Sequence, residues 1–317
     1  MICPCACRDQ RGDPPSPFMF QASFSATASS LRRATVLVGI IPRPTSRLQQ
    51  IQQHVSSKFH SSTPFAMPPV TPPTSEHYDL LVIGGGSGGM GASRRAASYG
   101  KKVAVIEEAG KLGGTCVNVG CVPKKLMWHA SDIQDKLKEA HEYGFTDAGR
   151  SFSVPSVDWH TLAEKRDAYI RRLNGIYDNN LQKDHVAYIS GHGRLLGDGR
   201  VQVTPGVDGA LKKEVTLSAD HIVVATGGRP SIPSDEDIPG ASLGTDSDGF
   251  FAWREQPKRV AVVGAGYIAI ELAGVLHSLN SETHLLIRHD SFLRNFDPII
   301  SDTLTVSYTH LTLPTSD

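Results

Sequence analysis

Two cysteines five positions apart are the side chains with the clearest redox chemistry in the sequence. Cys116 and Cys121 stand in the segment GGTCVNVGCVPKK, residues 113–125, and Pro123 lies just beyond the pair. A pair at this spacing can close a small disulfide ring, and thiols at the start of a helix are stabilised as thiolates by the helix dipole. The spacing therefore predicts a pair that can switch between disulfide and dithiol.

Two other interpretations of this pair stay open. Zinc would need a second Cys or His pair at ligand spacing, and His129 stands alone nearby, so we expect no metal. Two buried structural cysteines are the other alternative. The remaining cysteines, Cys3, Cys5 and Cys7, crowd into the first seven residues, and an odd total of five is a poor disulfide framework for a secreted protein.

A glycine motif follows an apolar run at residues 79–83. Gly84, Gly86 and Gly89 form G-x-G-x-x-G, which allows a tight turn, close approach of a diphosphate and close helix packing. The next strand ends in Glu107, 23 residues beyond Gly84, where a carboxylate can accept both ribose hydroxyls. These features predict a nucleotide site. A glycine turn that serves packing alone would leave Glu107 unexplained.

The same plan recurs later in the chain. The apolar strand Val260–Val263 leads into Gly264, Gly266 and Ala269, which form G-x-G-x-x-A at the start of a helix. The next strand is predicted at His284–Ile287. Two copies of one strand–turn–helix plan predict two nucleotide sites in one chain.

Two arginines distinguish the second site from the first. Arg288 stands where an acidic residue would otherwise meet the ribose 2′ substituent, and Arg294 follows six positions later. A cation at that position favours a 2′-phosphate, and paired guanidinium–phosphate contacts are strong and directional. The sequence therefore predicts NADPH rather than NADH. The alternative is that both arginines are solvated.

The elements that must position these residues alternate between strands and helices. After the first strand we expect a helix at Met90–Tyr99, a strand at Lys102–Ile106 and two amphipathic helices at 125–143 and 158–183. Two short antiparallel strands are predicted next, at Val201–Thr204 and Glu214–Leu217. A buried strand at Ile222–Ala225 and a Pro-rich break at 230–239 follow. This order predicts an α/β fold of doubly wound parallel sheets, with two tandem dinucleotide-binding domains of which the second is incomplete.

Composition excludes some functions and suggests a leader. Thirty-two Lys and Arg balance 32 Asp and Glu, and no apolar run approaches the roughly 20 residues that span a bilayer, so we expect neither a nucleic-acid nor a membrane partner. Residues 14–75 contain no Asp or Glu but several Arg, which is typical of a mitochondrial transit peptide. Met67 offers a second start, so we expect mitochondrial and cytoplasmic forms. A tail without a targeting role is the alternative.

The segment GGTCVNVGCVPKK resembles the active-site signature of the flavoprotein pyridine nucleotide-disulfide oxidoreductases, and its form is most similar to that of the glutathione reductases. The run ATGGRP at 225–230 resembles the second flavin-domain signature of the family, and RDAYIRRLNGIYDNN at 166–180 resembles the helix of the disulfide site. The resemblance extends from Tyr78 to Leu304. It implies NADPH-dependent reduction of oxidised glutathione through FAD.

The resemblance also implies roles for individual residues. Cys121 would lie against the flavin, Cys116 would be the thiol that attacks substrate, and Lys124 would pair with Glu271. The residues implied to hold FAD are Gly84, Gly86, Ser87, Gly88, Gly89, Glu107, Thr115, Cys116, Lys124, Gly193 (beside His192 at the adenine), Thr226 and Gly227. Those implied to hold NADPH are Gly264, Ala265, Gly266, Tyr267, Ile268, Glu271, Arg288 and Arg294. Those implied to contact the disulfide substrate are Ser87, Arg94, Tyr169 and Tyr177, and the alternative is that the tyrosines are ordinary helix-face aromatics and Arg94 is solvated.

Four segments are expected along the chain: a leader (1–75), an FAD-binding domain (76–256), the start of an NADPH-binding domain (257–305), and residues 306–317. The run VSYTHLTLPT in the last segment matches the translation of a sequencing-library adapter, so we expect it to be foreign. In the family a C-terminal domain forms a homodimer and lends a His–Glu acid pair to the partner subunit. A thioredoxin reductase and a non-catalytic flavin-binding fragment remain alternatives.

Overall fold

The computed structural model describes residues 76–147, 150–151 and 153–312 of the 317-residue chain. The predicted leader, with Cys3, Cys5 and Cys7, lies outside the described residues, and so do residues 313–317. The backbone of residues 306–312 is helical. The domain boundaries and the foreign origin of residues 306–317 stay predictions.

The first part of the described chain folds around one sheet. Its elements are β1 (His77–Ile83), α1 (Ser87–Ala97), β2 (Val103–Glu107), α2 (Gly114–Asn118), α3 (Cys121–Glu139), a 3-10 turn (Ala140–Tyr143), β3 (Thr146–Asp147), β4 (Arg150–Ser151), α4 (Trp159–Lys183), β5 (Ala187–Gly197), β6 (Arg200–Pro205) and β7 (Val215–Val224). The strands and helices predicted up to residue 183 are all present with shifted ends. Helix α1 begins three residues early because the glycine turn, and not the apolar periodicity, sets its start.

The strand pairings of this sheet close on themselves in the order β1-β2-β5-β6-β7. Strand β1 runs parallel to both β2 and β7, so that Val82 lies opposite Val105 and Val223. Strand β5 is parallel to β2, whereas β6 is antiparallel to both β5 and β7. The predicted parallel α/β sheet and its antiparallel excursion are both confirmed.

One predicted strand is wrong in its extent and burial. Residues 222–225 were expected to form a separate buried strand, but residues 215–224 form the single strand β7. The first residues of β7 pair with β6, and residues 218–224 pair with β1, so one long strand serves two neighbours. Its end is only partly covered, since Val224 is 59% exposed.

Both faces of the first sheet are buried. Tyr78, Leu81 and Ile106 pack on one face with residues from β6 and β7. On the other face, Val82 and Val105 pack with residues of α1 and α4. A parallel strand covered on both sides requires the continuous apolar run from which β1 was predicted.

The second glycine unit is smaller. Its elements are α5 (Ser247–Ala252), which precedes it, then β8 (Arg259–Val263), α6 (Tyr267–Ser278), β9 (Glu282–Leu286) and α7 (Pro298–Thr312). Strands β8 and β9 are parallel and form a two-stranded sheet within the described residues. Strand β9 begins two residues before its predicted start, and the apolar strand β8 is only partly buried, since Val263 is 77% exposed.

An apolar cluster joins the two parts of the fold. Met127 on α3, Trp159 on α4 and Phe250 on α5 pack with Leu272 and Leu276 on α6. The Trp159 and Phe250 rings meet edge to face with centroids 6.2 Å apart, a favourable aromatic geometry. Among the described residues, no helix is both long enough and apolar enough to cross a membrane.

Candidate active site

Glycines fix the backbone around the two cysteines. Cys116 lies in α2 and is half-buried, whereas Cys121 is exposed and is the first residue of α3. A Cβ built at Gly113 would lie 2.6 Å from the Val117 side chain, and one at Gly120 would lie 2.7 Å from the Thr115 carbonyl oxygen. The backbone before Cys116 and before Cys121 therefore requires glycine at both positions.

The cysteine segment is attached to the first glycine turn. The Gly113 N–H donates to the Gly85 carbonyl oxygen at 2.8 Å. A Cβ built at Gly114 would lie 2.6 Å from the Cα of Gly86. The redox motif and the predicted diphosphate loop therefore pack backbone against backbone.

Two asparagines that no sequence pattern singled out hold this segment in place. The Asn174 side chain on α4 donates to the Leu112 carbonyl oxygen at 2.8 Å and to the Asn118 side chain at 3.1 Å. Asn118 in turn donates to the Gly114 carbonyl oxygen at 2.9 Å. Helix α4 thus holds the loop that carries Cys116 through side-chain amides separated widely in sequence.

The first glycine turn has the geometry that its motif predicts. Gly84 has a φ of +108°, and a Cβ there would lie 2.3 Å from the Ala225 carbonyl oxygen. A Cβ built at Gly89 would lie 1.8 Å from the Gly84 oxygen. Helix α1 starts at Ser87, and among the described residues no side chain caps it. Its first N–H groups, including that of Gly88, remain suited to an anion.

Glu107 has a structural role that the sequence did not show. One carboxylate oxygen accepts the Gly85 N–H and the other accepts the Ala109 N–H, both at 2.8 Å. These bonds tie the end of β2 to the glycine turn. Because a carboxylate has about four acceptor positions, Glu107 keeps capacity for ribose hydroxyls.

The other predicted FAD residues lie in β5, just after β7 and in α2. Gly193 lies within β5, and a Cβ there would come 3.2 Å from the Ile83 side chain. Thr226 and Gly227 follow β7, where Gly227 has a φ of +70° and is exposed. Thr115, also exposed, lies beside Cys116 in α2.

Lys124 and Glu271 meet as predicted. The Lys124 Nζ lies 2.5 Å from a Glu271 carboxylate oxygen, and both side chains are partly buried. Lys124 stands in the first turn of α3, and Glu271 stands in α6, 147 positions later. This ion pair connects the cysteine helix to the helix that begins at the second glycine turn.

The second glycine turn is more open. Gly264 has a φ of +137°, and Gly266 caps the start of α6 without a side-chain hydrogen bond. A Cβ built at Gly266 finds no heavy atom of the described residues within 4 Å. Tyr267 and Ile268, which follow, are 57% and 43% exposed.

The two predicted phosphate-binding arginines are accessible. Arg288 and Arg294 are exposed, and neither forms an ion pair with another residue in the described part of the chain. The Leu293 N–H donates to the Ala265 carbonyl oxygen at 2.9 Å, which holds the segment before Arg294 against the glycine turn. Both guanidinium groups are therefore available to an anion.

The predicted substrate residues make contacts of their own in this structure. The Arg94 Nε lies 2.5 Å from an Asp184 carboxylate oxygen, and the Arg172 guanidinium lies 4.8 Å from the centre of the Tyr169 ring. Tyr177 is partly buried against the core of the first sheet. These contacts do not test a role in binding a disulfide, which stays a prediction for all four residues.

A cavity of about 650 Å³ lies against another face of α4. Its wall includes Ile170, Asn174 and Asp178, but neither Tyr169 nor Tyr177. Burial raises the pKa of Asp178, and the Gln182 side-chain amide donates a hydrogen bond to its carboxylate. The cavity therefore does not coincide with the predicted disulfide pocket.

Comparison with known proteins shows the class to which this architecture belongs. The family model described as pyridine nucleotide-disulphide oxidoreductase matches residues 78–311, which is most of the chain. The chain belongs to this family. It is 54% identical over 239 residues to a glutathione reductase of Schizosaccharomyces pombe and 55% identical over 238 residues to one of Yarrowia lipolytica.

A third glutathione reductase, from Debaryomyces hansenii, is 47% identical over 245 residues. These alignments cover 75%, 73% and 73% of the chain, but 50%, 48% and 50% of the respective relatives. The chain thus spans about half the length of the curated relatives it matches.

Proposed function

We propose that the chain provides the FAD-binding part and the start of the NADPH-binding part of a glutathione-disulfide reductase. The observation that carries the proposal is the 2.5 Å contact between Lys124 and Glu271. Because α3 begins at Cys121 and α6 begins at the second glycine turn, this contact joins the helix of the thiol motif to the helix of the predicted NADPH site. The relatives named glutathione reductase support the choice of substrate.

The residues at the first site fit FAD. A Cβ at Gly84 or Gly89 would clash with backbone atoms, so the tight turn requires glycine there, and helix α1 presents uncapped N–H groups to a diphosphate. Glu107 remains able to accept ribose hydroxyls. When bound, FAD would supply the two-electron carrier between NADPH and the thiol pair.

The order in which the two thiols would react is the one that the family resemblance implies, with Cys116 as the thiol that attacks substrate. In the dithiol form, the Cys116 thiolate would attack one sulfur of oxidised glutathione, form a Cys116–glutathione disulfide and release the first glutathione. The Cys121 thiolate would then attack Cys116, release the second glutathione and close the Cys116–Cys121 disulfide. Lys124 places a cation one turn from Cys121, where it would stabilise a thiolate.

The nucleotide preference is testable at the second site. We expect Arg288→Ala combined with Arg294→Ala to weaken NADPH binding about 100-fold, since each lost charge-assisted contact costs about 1.5 kcal/mol or more. NADH, which lacks the 2′-phosphate, should be little affected. The ratio of kcat/KM for the two nucleotides measures the effect, and an unchanged ratio would mean that both arginines are solvated.

The activity itself is tested by NADPH oxidation with oxidised glutathione, with NADH and thioredoxin as alternative substrates. Turnover with glutathione disulfide and NADPH, abolished by Cys116→Ser, would support the proposal. Turnover only with thioredoxin would move the assignment to a thioredoxin reductase. Flavin uptake without turnover would favour a non-catalytic flavin-binding module, which the exposed face of the β8–β9 sheet makes a serious alternative.

The homodimer and the two compartments belong to the same proposal. The family resemblance suggests dimerisation, which sedimentation of the purified protein would test. The Asp- and Glu-free composition of residues 14–75 suggests a mitochondrial form beside a cytoplasmic one. N-terminal sequencing of protein from each compartment should find different first residues, and one common N-terminus would contradict the dual location.

A further inference from the structure

Glu108, the residue after Glu107, makes two ionic contacts at the edge of the first glycine unit. One carboxylate oxygen lies 2.6 Å from the His192 Nδ1, and the other lies 2.7 Å from the Arg229 Nη2. His192 and Arg229 lie 84 and 121 positions after Glu108 in the chain. We call Glu108, His192 and Arg229 the rim cluster.

The rim cluster joins three segments that surround the predicted flavin site. Glu108 follows β2, His192 lies on β5 next to Gly193, and Arg229 follows Thr226 and Gly227 in the loop after β7. Each segment thus carries a predicted FAD residue within two positions of its member of the cluster. A change in Glu108 would therefore act on all three segments at once.

General features of dinucleotide folds identify the end of the ligand to which the cluster is adjacent. In such folds the acid that ends the second strand binds the ribose of the adenosine half. Glu107 is that acid here, and its backbone contacts keep it at the glycine turn. Since Glu108 is the next residue, the rim cluster lies on the adenosine side of the site.

Electrostatics give the cluster a second role. The hydrogen bond with His192, strengthened by the charges of His192 and Arg229, holds the pKa of Glu108 below its usual value. An uncompensated carboxylate at this end of the site would repel an anionic ligand. Its two partners compensate that charge and are in turn held in place by it.

We propose that Glu108 is a positioning residue that holds His192 and Arg229 against the adenosine half of FAD and so favours FAD over FMN. This inference rests on the proposed flavin-binding function. The flavin half is common to FAD and FMN, whereas only FAD has the adenosine half. A cluster that acts on adenosine must therefore affect one ligand and spare the other.

The test is titration of the flavin-free full chain with FAD and with FMN. The quenching of flavin fluorescence on binding is the measured signal. Glu108→Gln should weaken FAD affinity about fivefold, the ratio that corresponds to about 1 kcal/mol for exposed ionic contacts, and leave FMN affinity unchanged. Arg229→Gln should have a similar effect. The double variant should bind FAD about as tightly as the weaker-binding single variant, because both changes disrupt the same coupled cluster.

Glu164→Gln is the matched control, because Glu164 forms an exposed contact with His160 at 3.1 Å on α4, remote in sequence from the site. It should leave both affinities unchanged. Thermal unfolding of each variant verifies that the fold is retained, and the FAD-to-FMN ratio separates positioning from a general loss of structure.

The outcomes separate the inference from the function on which it rests. If the unmodified chain takes up neither flavin, the proposed function fails, and this inference fails with it. If the unmodified chain binds FAD but Glu108→Gln binds FAD equally well, or loses FAD and FMN alike, only the positioning role is overturned.

Discussion

The two glycine turns share one motif but differ in how tightly the rest of the chain encloses them. A Cβ at Gly84 would lie 2.3 Å from a backbone oxygen, and a Cβ at Gly89 would lie 1.8 Å from another. At the second turn, a Cβ at Gly264 would come no closer than 3.5 Å to its nearest neighbour, and one at Gly266 would meet none of the described residues within 4 Å. Two closely similar sequence patterns thus form one tightly enclosed turn and one open turn.

The difference comes from the strands that flank each turn. Strand β1 has neighbours on both edges, and both of its faces are buried. Strand β8 pairs with β9 alone among the described residues, and Val263 at its end is exposed. A glycine motif therefore specifies the local turn, whereas the surrounding sheet determines how strongly that turn excludes other residues.

Among the changes considered, removing a buried cation that lies between the two regions should lower stability the most. Arg166 on α4 is 1% exposed, and it donates to the Phe251 carbonyl oxygen at 2.7 Å and pairs with Asp167 at 2.8 Å. Arg166→Met leaves that oxygen and carboxylate with fewer partners. We expect the free energy of unfolding to fall by about 3 kcal/mol or more, measured by urea denaturation with tryptophan fluorescence.

Arg254→Met is the control, because Arg254 binds the same Asp167 from a side chain that is 55% exposed. It should cost less than about 1 kcal/mol. A single transition for Arg166→Met would show that the two regions unfold together. Two separate transitions would show that the open region is independent of the tight one, which would contradict a shared core.

Substitution at the third motif position tests the comparison directly. Gly89→Ala places a methyl group 1.8 Å from the Gly84 oxygen, so the backbone must move. We expect the free energy of unfolding to fall by about 1–3 kcal/mol and flavin binding to become weaker. Thermal unfolding and flavin titration measure the two effects.

The second turn already has alanine at the matched position, Ala269. Ala269→Gly should cost only about 1 kcal/mol, which is the difference in helix propensity, and should leave flavin uptake unchanged. Equal flavin loss in both variants would mean that enclosure of the turn is not the cause.

The parts of the site that could be predicted from sequence are those encoded by local spacing. The positions of Gly84, Gly89 and Glu107 follow from the backbone demands of one turn and one strand length. The contact between Lys124 and Glu271 was expected only from the resemblance to a family, because no local pattern relates residues 147 positions apart.

The remaining contacts depend on strand order and helix packing. Glu108 meets His192 because β2 and β5 are neighbours, and this order is not written in either segment. Arg166 stands on a helix that was predicted as amphipathic, where an arginine indicates the solvent face, yet it is buried. Asn174, on the same helix, donates a side-chain hydrogen bond to the Leu112 carbonyl oxygen just before the cysteine loop. Long-range packing decides all three.

The smallest expected effect concerns a buried acid on α4. Asp178 on α4 is 5% exposed, and burial raises its pKa above the ordinary 3.8. The native state then holds a proton more tightly than the unfolded state, so stability falls as pH rises from 3.8 through the raised native pKa. Asp178→Asn removes this ionisation and keeps a polar partner for the Gln182 amide.

We therefore expect Asp178→Asn to be more stable than the parent at pH 7 and nearly equal to it near pH 3, measured by thermal unfolding across that range. Asp158, which caps α4 by accepting the Thr161 N–H, gives the opposite control, because hydrogen bonds from Thr161 lower its pKa. Asp158→Asn should lose stability at pH 7 and approach the parent in acid. If both variants shifted in the same direction, burial would not be the cause of the Asp178 effect, and the packing of α4 against the first sheet would be looser than the structure indicates.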